Sequence, residues 1–376
     1  MRSLGAGTEG MRGWFYSRLP GKIQNLGDSF RNDEIRLLRS PIIAGRQEVQ
    51  PKDNPAECNC GFHRHVSSEN LSIPGLTLVF LWNAFDGVRG STFARVFQSA
   101  DRLASCLAGV QISICPVQSR DMKKLRGATI VLHKNCGLST SALRQLRRKS
   151  NVILSDYVDG EHNLQVDEEV DGFICSSATE YKWIQGRLTG QQKSHLVPHA
   201  PDDRLTELAT SFSDNEFRCG YFGAQENCLF ARELSALGLL NVVETPVTLE
   251  TTEFLNQKWI EVLRQTKFQF IARPSAQVWS GRFKPFNKGF QSAAMNQLII
   301  GARFDSENRY WLGDDYPFFV EQENLNSAIA AVDFARQSWS RGELGAANAV
   351  LERLRKVACP VQNALDYRDA FIKMSR

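Results

Sequence analysis

Between residues 76 and 300 the chain alternates short apolar runs with amphipathic stretches, and this alternation limits its fold more than any other feature. The run at 76–82 (Leu-Thr-Leu-Val-Phe-Leu-Trp) leads into a turn carrying Gly90 and Ser91, then into a helical pattern through Ala94, Phe97, Ala100, Leu103 and Leu107. Period-2 or continuous apolar runs read as strands and 3.6-residue periodicity reads as helix, so this segment is strand, turn, helix. Further strands are expected at 110–117, 128–132, 151–154, 172–175 and 194–197, with a basic helix at 139–148 and another through Tyr181 and Ile184. A second set follows: strands at 218–223, 240–243, 268–273 and 297–300, with helices at 228–237 and 259–264. Such alternation signals parallel sheets with helices on their faces. After residue 321 the pattern is helical, at 326–339, 344–356 and 362–374.

A chain of 376 residues is too long for one small core and suits two domains with a cleft between them. The expected division is a polar N-terminal extension at 1–70, α/β domains at 71–200 and 201–340, and C-terminal helices at 341–376. The stiff, turn-forming segment 198–203 (Pro-His-Ala-Pro-Asp-Asp) is the expected hinge, where His199 fits a structural role.

The formal net charge of +4 is too small for a nucleic-acid binder, which gathers its basic residues into a patch, and no nucleic acid is expected as a partner. Nine cysteines, an odd number scattered through strand-like segments, do not form a disulfide framework and point to reduced thiols. No run reaches the length of a membrane span and the first thirty residues lack a signal-peptide core. The expectation is a soluble cytoplasmic protein, compatible with peripheral contact at a membrane. Cys58, Cys60, His63 and His65 crowd four metal-capable side chains together, but their spacing is not that of a structural zinc site.

The chemistry concentrates in the second half. The strand ending near Arg273 places a guanidinium at its carboxyl edge, where open α/β sheets hold their ligands. Then come Lys284-Pro285-Phe286-Asn287-Lys288-Gly289 and a small-residue helix with Gln291. If Pro285 stands in the first helical turn, Lys284 and Lys288 project from one face near an end that attracts anions. The same spacing also fits a solvated face.

Taken in order, Gly90-Ser91 after the first strand, Asp171 to Ser177, the hinge motif His195 to Asp202, Gly220-Tyr-Phe-Gly223, and Lys284-Pro-x-x-Lys288 with Ala293-Ala294 resemble the GT-B glycosyltransferases, and among them the retaining family that uses nucleotide sugars. The resemblance spans roughly residues 75–340. It implies two Rossmann-like parallel-sheet domains facing a cleft, an acceptor domain followed by a donor domain, with a helical C-terminal segment. It also implies transfer of a sugar from a nucleotide-activated donor to a glycan, lipid or other hydroxyl acceptor. Gly220 and Gly223 would let the backbone approach the nucleotide, since glycine has no Cβ. Arg273, Lys284 and Lys288 would face the diphosphate, whose negative charge grows as the sugar–oxygen bond breaks. No metal or separate cofactor is implied; the nucleotide sugar is a substrate.

The chain departs from that family where it commonly carries two glutamates, at places corresponding here to Phe283 and Gln291. Gln291 retains the capacity to hydrogen-bond a ribose. Asp156 and Asp159, just beyond a strand of the first domain, are the candidates for receiving an acceptor proton, and helix capping or loop contacts would use the same residues. His133 and Lys134 end another strand, and Asp305 and Glu307 follow the strand ending at Ile300, positions from which carboxylates can meet sugar hydroxyls. Two rival readings remain: a catalytically silent GT-B relative that binds a glycan or protein, and another phosphate-dependent enzyme of this architecture, such as a sugar epimerase or polymer phosphotransferase.

Overall fold

The structure, a computed structural model, describes residues 46–50, 72–86, 88, 90–203, 216–244, 258–275 and 283–374. Cys58, Cys60, His63 and His65 and most of the N-terminal extension lie outside these residues.

Two sheets form the frame. The first runs β1(Gln47–Glu48), β3(Ala108–Pro116), β2(Ser72–Trp82), β4(Thr129–His133), β5(Val152–Asp156), β6(Gly172–Cys175), β7(Lys193–Leu196) across the sheet. All its pairings are parallel except that of β1 with β3. The second sheet is wholly parallel, in the order β12(Phe319–Val320), β11(Leu298–Ala302), β10(Phe268–Phe270), β8(Cys219–Phe222), β9(Asn241–Val243).

Among the described residues the helices of six residues or more are α1(Gln98–Cys106), α2(Thr140–Arg147), α3(Ala178–Gln185), α4(Ala231–Ala236), α5(Lys258–Gln265), α6(Asn287–Ala294), α7(Ser306–Leu312), α8(Leu325–Arg341), α9(Gly345–Ala358) and α10(Pro360–Met374). Helix α1 continues a helical run that opens at Gly90–Thr92 and passes through a π turn at Phe93–Phe97. Among the described residues no helix is long and apolar enough to cross a membrane.

Strand β2 shows why these residues fold this way. Successive side chains of a strand point to opposite faces, and a central strand covered on both reads as a continuous apolar run. Leu78, Phe80 and Trp82 pack into one core of the first lobe, while Val79 and Leu81 pack into another on the opposite face.

The C-terminal helices divide between the lobes. Helix α9 inserts Ala347, Leu351 and Leu354 into the core of the second lobe, whereas α10 returns to the first and buries Tyr367, Ala370 and Phe371 against Phe80 and Val131. Gly172 in β6 accommodates the end of α10: a Cβ there would stand 2.7 Å from the sulfur of Met374 and equally close to the Lys193 carbonyl. The methionine side chain could move aside but the Lys193 carbonyl belongs to the neighbouring strand's backbone, so the glycine is required by the close approach of β6 and β7.

The segment expected as a hinge is held to the first lobe. Arg102 donates to the Pro201 carbonyl at 2.9 Å and pairs with Asp203; Gln98 bonds the Pro201 carbonyl at 2.7 Å and the Asp203 amide at 2.8 Å.

Candidate active site

The carboxyl ends of both parallel sheets open on one cleft of about 400 Å³ between the lobes. Parallel α/β sheets present the first residues of their outgoing loops at that edge, so side chains distant in sequence converge there. From the first lobe come Gly90 and Ser91 after β2, Lys134 after β4, Asp159 after β5 and His199 from the linker; from the second come Tyr221, Arg273, Lys284, Asn287 and Lys288.

Lys134 begins a run of left-handed backbone, with φ of 52° at Lys134, 58° at Asn135, 54° at Cys136 and 67° at Gly137. An L-residue in this region costs roughly 1–2 kcal/mol, so three non-glycine residues in succession require compensation. The Cys136 thiol donates to the Leu81 carbonyl at 2.9 Å, and Asn135 accepts from the Ser155 hydroxyl at 2.9 Å. The turn thereby sets the Lys134 ammonium 2.7 Å from the Asp159 carboxylate. Asp159 follows Val158, itself left-handed at φ 59°. Strained backbone of this kind gathers at functional sites.

Asp159 also reaches across the cleft to Lys284 at 2.9 Å, with the two side chains 27% and 28% exposed. Burial pushes this carboxyl up, but the two ammonium groups more than reverse that and hold it well below the usual carboxylate range. As a permanent anion, Asp159 is a poor proton acceptor and a good hydrogen-bond acceptor.

Helix α6 starts later than the sequence predicts. Phe286 is the N-cap, without a side-chain hydrogen bond, so Pro285 and Lys284 precede the helix and only Lys288 lies in its first turn. The two lysines therefore do not share a helix face, although both line the cleft. Lys288 donates to the Phe222 carbonyl at 2.6 Å and lies over the rings of Tyr221 and Phe222 at 4.6 and 4.9 Å. Among the described residues it has no carboxylate partner. Burial, with Arg273 nearby, lowers its pKa to about 8. The uncapped amides of α6 face the same space, an arrangement suited to an anion.

Strand β10 ends at Phe270, so Arg273 stands three residues past the edge and is held by Asp305 at 2.9 Å. His199, expected to be structural, lines the cleft. Its Nδ1 lies 3.2 Å from the Ala200 carbonyl, which can only accept, so Nδ1 carries the proton and Nε2 the lone pair. Burial lowers its pKa to about 3, keeping the ring neutral.

Several expected site residues do not line the cleft. Asp156 points inward: with Arg95 it forms a pair at 2.8 Å, each 1% exposed, and Arg95 also donates to the Val197 carbonyl at 2.8 Å. Burial pushes the Asp156 carboxyl up and the guanidinium opposes it; because arginine keeps its proton in proteins, the pair is ionised and sealed. It is not an acceptor base.

Gly220 makes room for Thr266, whose Oγ1 would lie 2.8 Å from an added Cβ, and not for a nucleotide. Gly223, at φ 128°, makes room for the Lys288 ammonium, 2.5 Å from the same construction. Gln291 is buried and accepts from the Asp202 amide at 2.8 Å, tying α6 to the interlobe linker and not to a ribose. Phe283, the other departure from the family pattern, packs on Trp183 and His162 of the first lobe at 5.2 and 5.9 Å. His133 is buried with Nε2 3.4 Å from the Thr92 hydroxyl. No group of three or more metal-capable side chains stands together among the described residues.

The sequence matches no family model and no curated protein. One solved structure shares the fold, and two more show a looser likeness. A glycosyltransferase from Rickettsia africae ESF-5 is 8% identical, with a TM-score of 0.50 over 80% of this chain and 98% of the other. An α,α-trehalose 6-phosphate synthase from Burkholderia multivorans is 10% identical, with a TM-score of 0.47 over 81% of this chain and 98% of the other. The pneumococcal O-GlcNAc transferase GtfA, solved with UDP and GlcNAc, is 12% identical with a TM-score of 0.44; the match covers 68% of this chain and 59% of that one. Two parallel-sheet lobes, a cleft at their carboxyl edges and a last helix that returns to the first lobe give this chain the GT-B fold of glycosyltransferases.

Proposed function

We propose that the protein transfers a sugar from a nucleotide-activated donor to a hydroxyl acceptor in glycan or glycoconjugate synthesis. The observation that carries the reading is the convergence of Lys134, Arg273, Lys284 and Lys288 with the amides of α6 on one interlobe cleft. A departing nucleoside diphosphate gains negative charge in the transition state, and cations already fixed in a partly dry cleft stabilise that charge more than water does. Lys288, with no carboxylate of its own, is the expected partner of the diphosphate. Lys284 reaches the same group on leaving Asp159.

Asp159 is assigned to orienting hydroxyl groups of sugar or acceptor and not to removing a proton, because its two lysines keep it ionised. The neutral Nε2 of His199 offers a second acceptor on the same wall. The nucleotide sugar serves as substrate, with charge neutralisation assigned to the side chains and not to a metal. The seven free cysteines among the described residues suit a reducing, cytoplasmic setting.

The test is thermal unfolding with uridine, guanosine, adenosine and cytidine diphosphates and monophosphates. A ligand at a hundred times its dissociation constant adds about 2.7 kcal/mol. A shift with one diphosphate, lost in Lys288→Ala, is the expected outcome; no shift across the whole panel would overturn the reading. A silent binding relative is the second reading, favoured by the use of Phe283 and Gln291 in lobe packing. Such a protein shows no donor hydrolysis for Lys288→Ala to abolish.

A further inference from the structure

The two walls of the cleft belong to different lobes, so their facing depends on what joins the lobes. Helix α3 of the first lobe begins with its third amide, that of Glu180, bonded to the N-cap hydroxyl of Ser177 at 3.0 Å. The first two amides are taken by the other lobe. Ala178 donates to Oε1 of Glu307 at 3.0 Å and Thr179 donates to Oε2 at 2.9 Å. The Thr179 hydroxyl adds a bond to Oε2 at 2.8 Å and the Trp311 indole one to Oε1 at 2.6 Å.

Each oxygen thus accepts two bonds, and Glu307 is 2% exposed. Three of those four, the two amides and the indole, can only donate, which favours the carboxylate form, while burial pushes the pKa up. Around it Lys182 lies over the Tyr310 ring at 5.1 Å and Trp183 meets Phe283.

The same turn of α7 reaches the cleft. Asp305, the N-cap of α7, takes the amides of Glu307 and Asn308 on Oδ1 at 2.9 and 3.3 Å. Its Oδ2 accepts from Arg273 at 2.9 Å. Two carboxylates, two residues apart, therefore hold the cleft arginine and the opposite lobe. Both stand at positions from which a carboxylate can meet sugar hydroxyls or solvent, and both are instead engaged inside the protein.

We propose that the start of α7 couples lobe closure to anion occupancy: Asp305 is a positioning residue that aims Arg273, and Glu307 is a positioning residue that docks α3 so that Lys134 and Asp159 face the donor wall. Linkage is reciprocal, so an anion that binds better to the closed cleft must tighten the Glu307 contact by the same factor. The anion arm rests on the nucleotide-sugar reading given above; the closure arm does not.

Small-angle scattering and calorimetric titration of uridine, guanosine, adenosine and cytidine diphosphates into wild type, Glu307→Ala, Glu307→Gln and Asp305→Asn test this. Glu307→Ala is expected to enlarge the radius of gyration without ligand and to weaken the bound diphosphate by about tenfold, a typical size for such coupling. Glu307→Gln, which keeps one acceptor oxygen, falls between it and wild type. Asp305→Asn weakens the diphosphate comparably with the unliganded radius unchanged. If Glu307→Ala does not fold, Glu307→Gln and Lys182→Ala carry the closure arm.

Unchanged scattering and affinity in the Glu307 variants would overturn the docking role. An enlarged radius in Asp305→Asn would overturn the division of roles. If no diphosphate binds wild type, the functional reading fails while scattering still decides the closure arm.

Discussion

Asp156 and Asp159 stand three residues apart at the end of one strand and were equal candidates by sequence, yet they occupy opposite environments. Asp156 is sealed with Arg95 beneath the linker, each 1% exposed. Asp159 sits at the cleft between lysines from two lobes, about a quarter exposed. Asp156 is the last residue of β5 and points into the lobe, whereas Asp159 lies in the turn that follows, where the left-handed Val158 redirects the chain toward the cleft. The first pair contributes by being unreachable; the second is useful because a ligand can rearrange it.

The largest effect expected from this contrast is on stability. Asp156→Ala leaves the Arg95 guanidinium buried without its counter-charge and should cost about 3–5 kcal/mol. Replacing both residues together by apolar ones of similar size should recover most of that in denaturant unfolding, since the uncompensated charge disappears. If Asp156→Ala unfolds like wild type, the buried pair does not support the first lobe.

Next in size, Lys288→Ala should weaken nucleoside diphosphate binding by about 1.5–3 kcal/mol, the range for a hydrogen bond to a charged group, with little change in melting temperature. Titration calorimetry reads the first quantity and thermal unfolding the second. A loss of stability in place of affinity would move Lys288 to the sealed class.

A pH effect should follow from the same lysine. Its pKa lies near 8 in the folded protein, below its ordinary value, so the ammonium is complete only below that point. Diphosphate affinity should therefore be greatest below about pH 8 and decline above it, and the decline should vanish in Lys288→Ala. The linkage to folding has the opposite sense. A depressed lysine binds fewer protons folded than unfolded, so its contribution to stability rises with pH between about 8 and 10.5.

The smallest effect belongs to Asp159→Asn. It frees Lys284 and Lys134 from a partly exposed carboxylate, a kind of pair worth about 0–1 kcal/mol, and should leave stability almost unchanged. Diphosphate binding should tighten by a few-fold while transfer to the acceptor falls. Tighter binding with undiminished transfer would remove Asp159 from acceptor orientation.

Much of the frame was legible because its signals are local. The runs at 76–82 and 172–175 became β2 and β6, and Arg273, Lys284 and Lys288 met at the cleft because all three lie between the carboxyl end of β10 and the first turn of α6, the side on which parallel sheets deliver their loops. The inward turn of Asp156 was not legible, since its partner Arg95 lies 61 residues away on a helix whose contact only packing creates. The place of Gln291 was not legible for the same reason: its partner is a backbone amide in the linker. The left-handed turn behind Lys134 left only an Asn and a Gly as signals, too common to interpret.

Sequence by itself determined the parallel α/β layers and the cations at their carboxyl edges, because strand alternation, helical periodicity and turn chemistry act over a few residues. Only the tertiary structure decided which carboxylate is sealed and which meets the cleft, and that Glu307 caps a helix of the other lobe. Those outcomes depend on desolvation and on partners far apart along the chain, quantities that exist only once the lobes have packed.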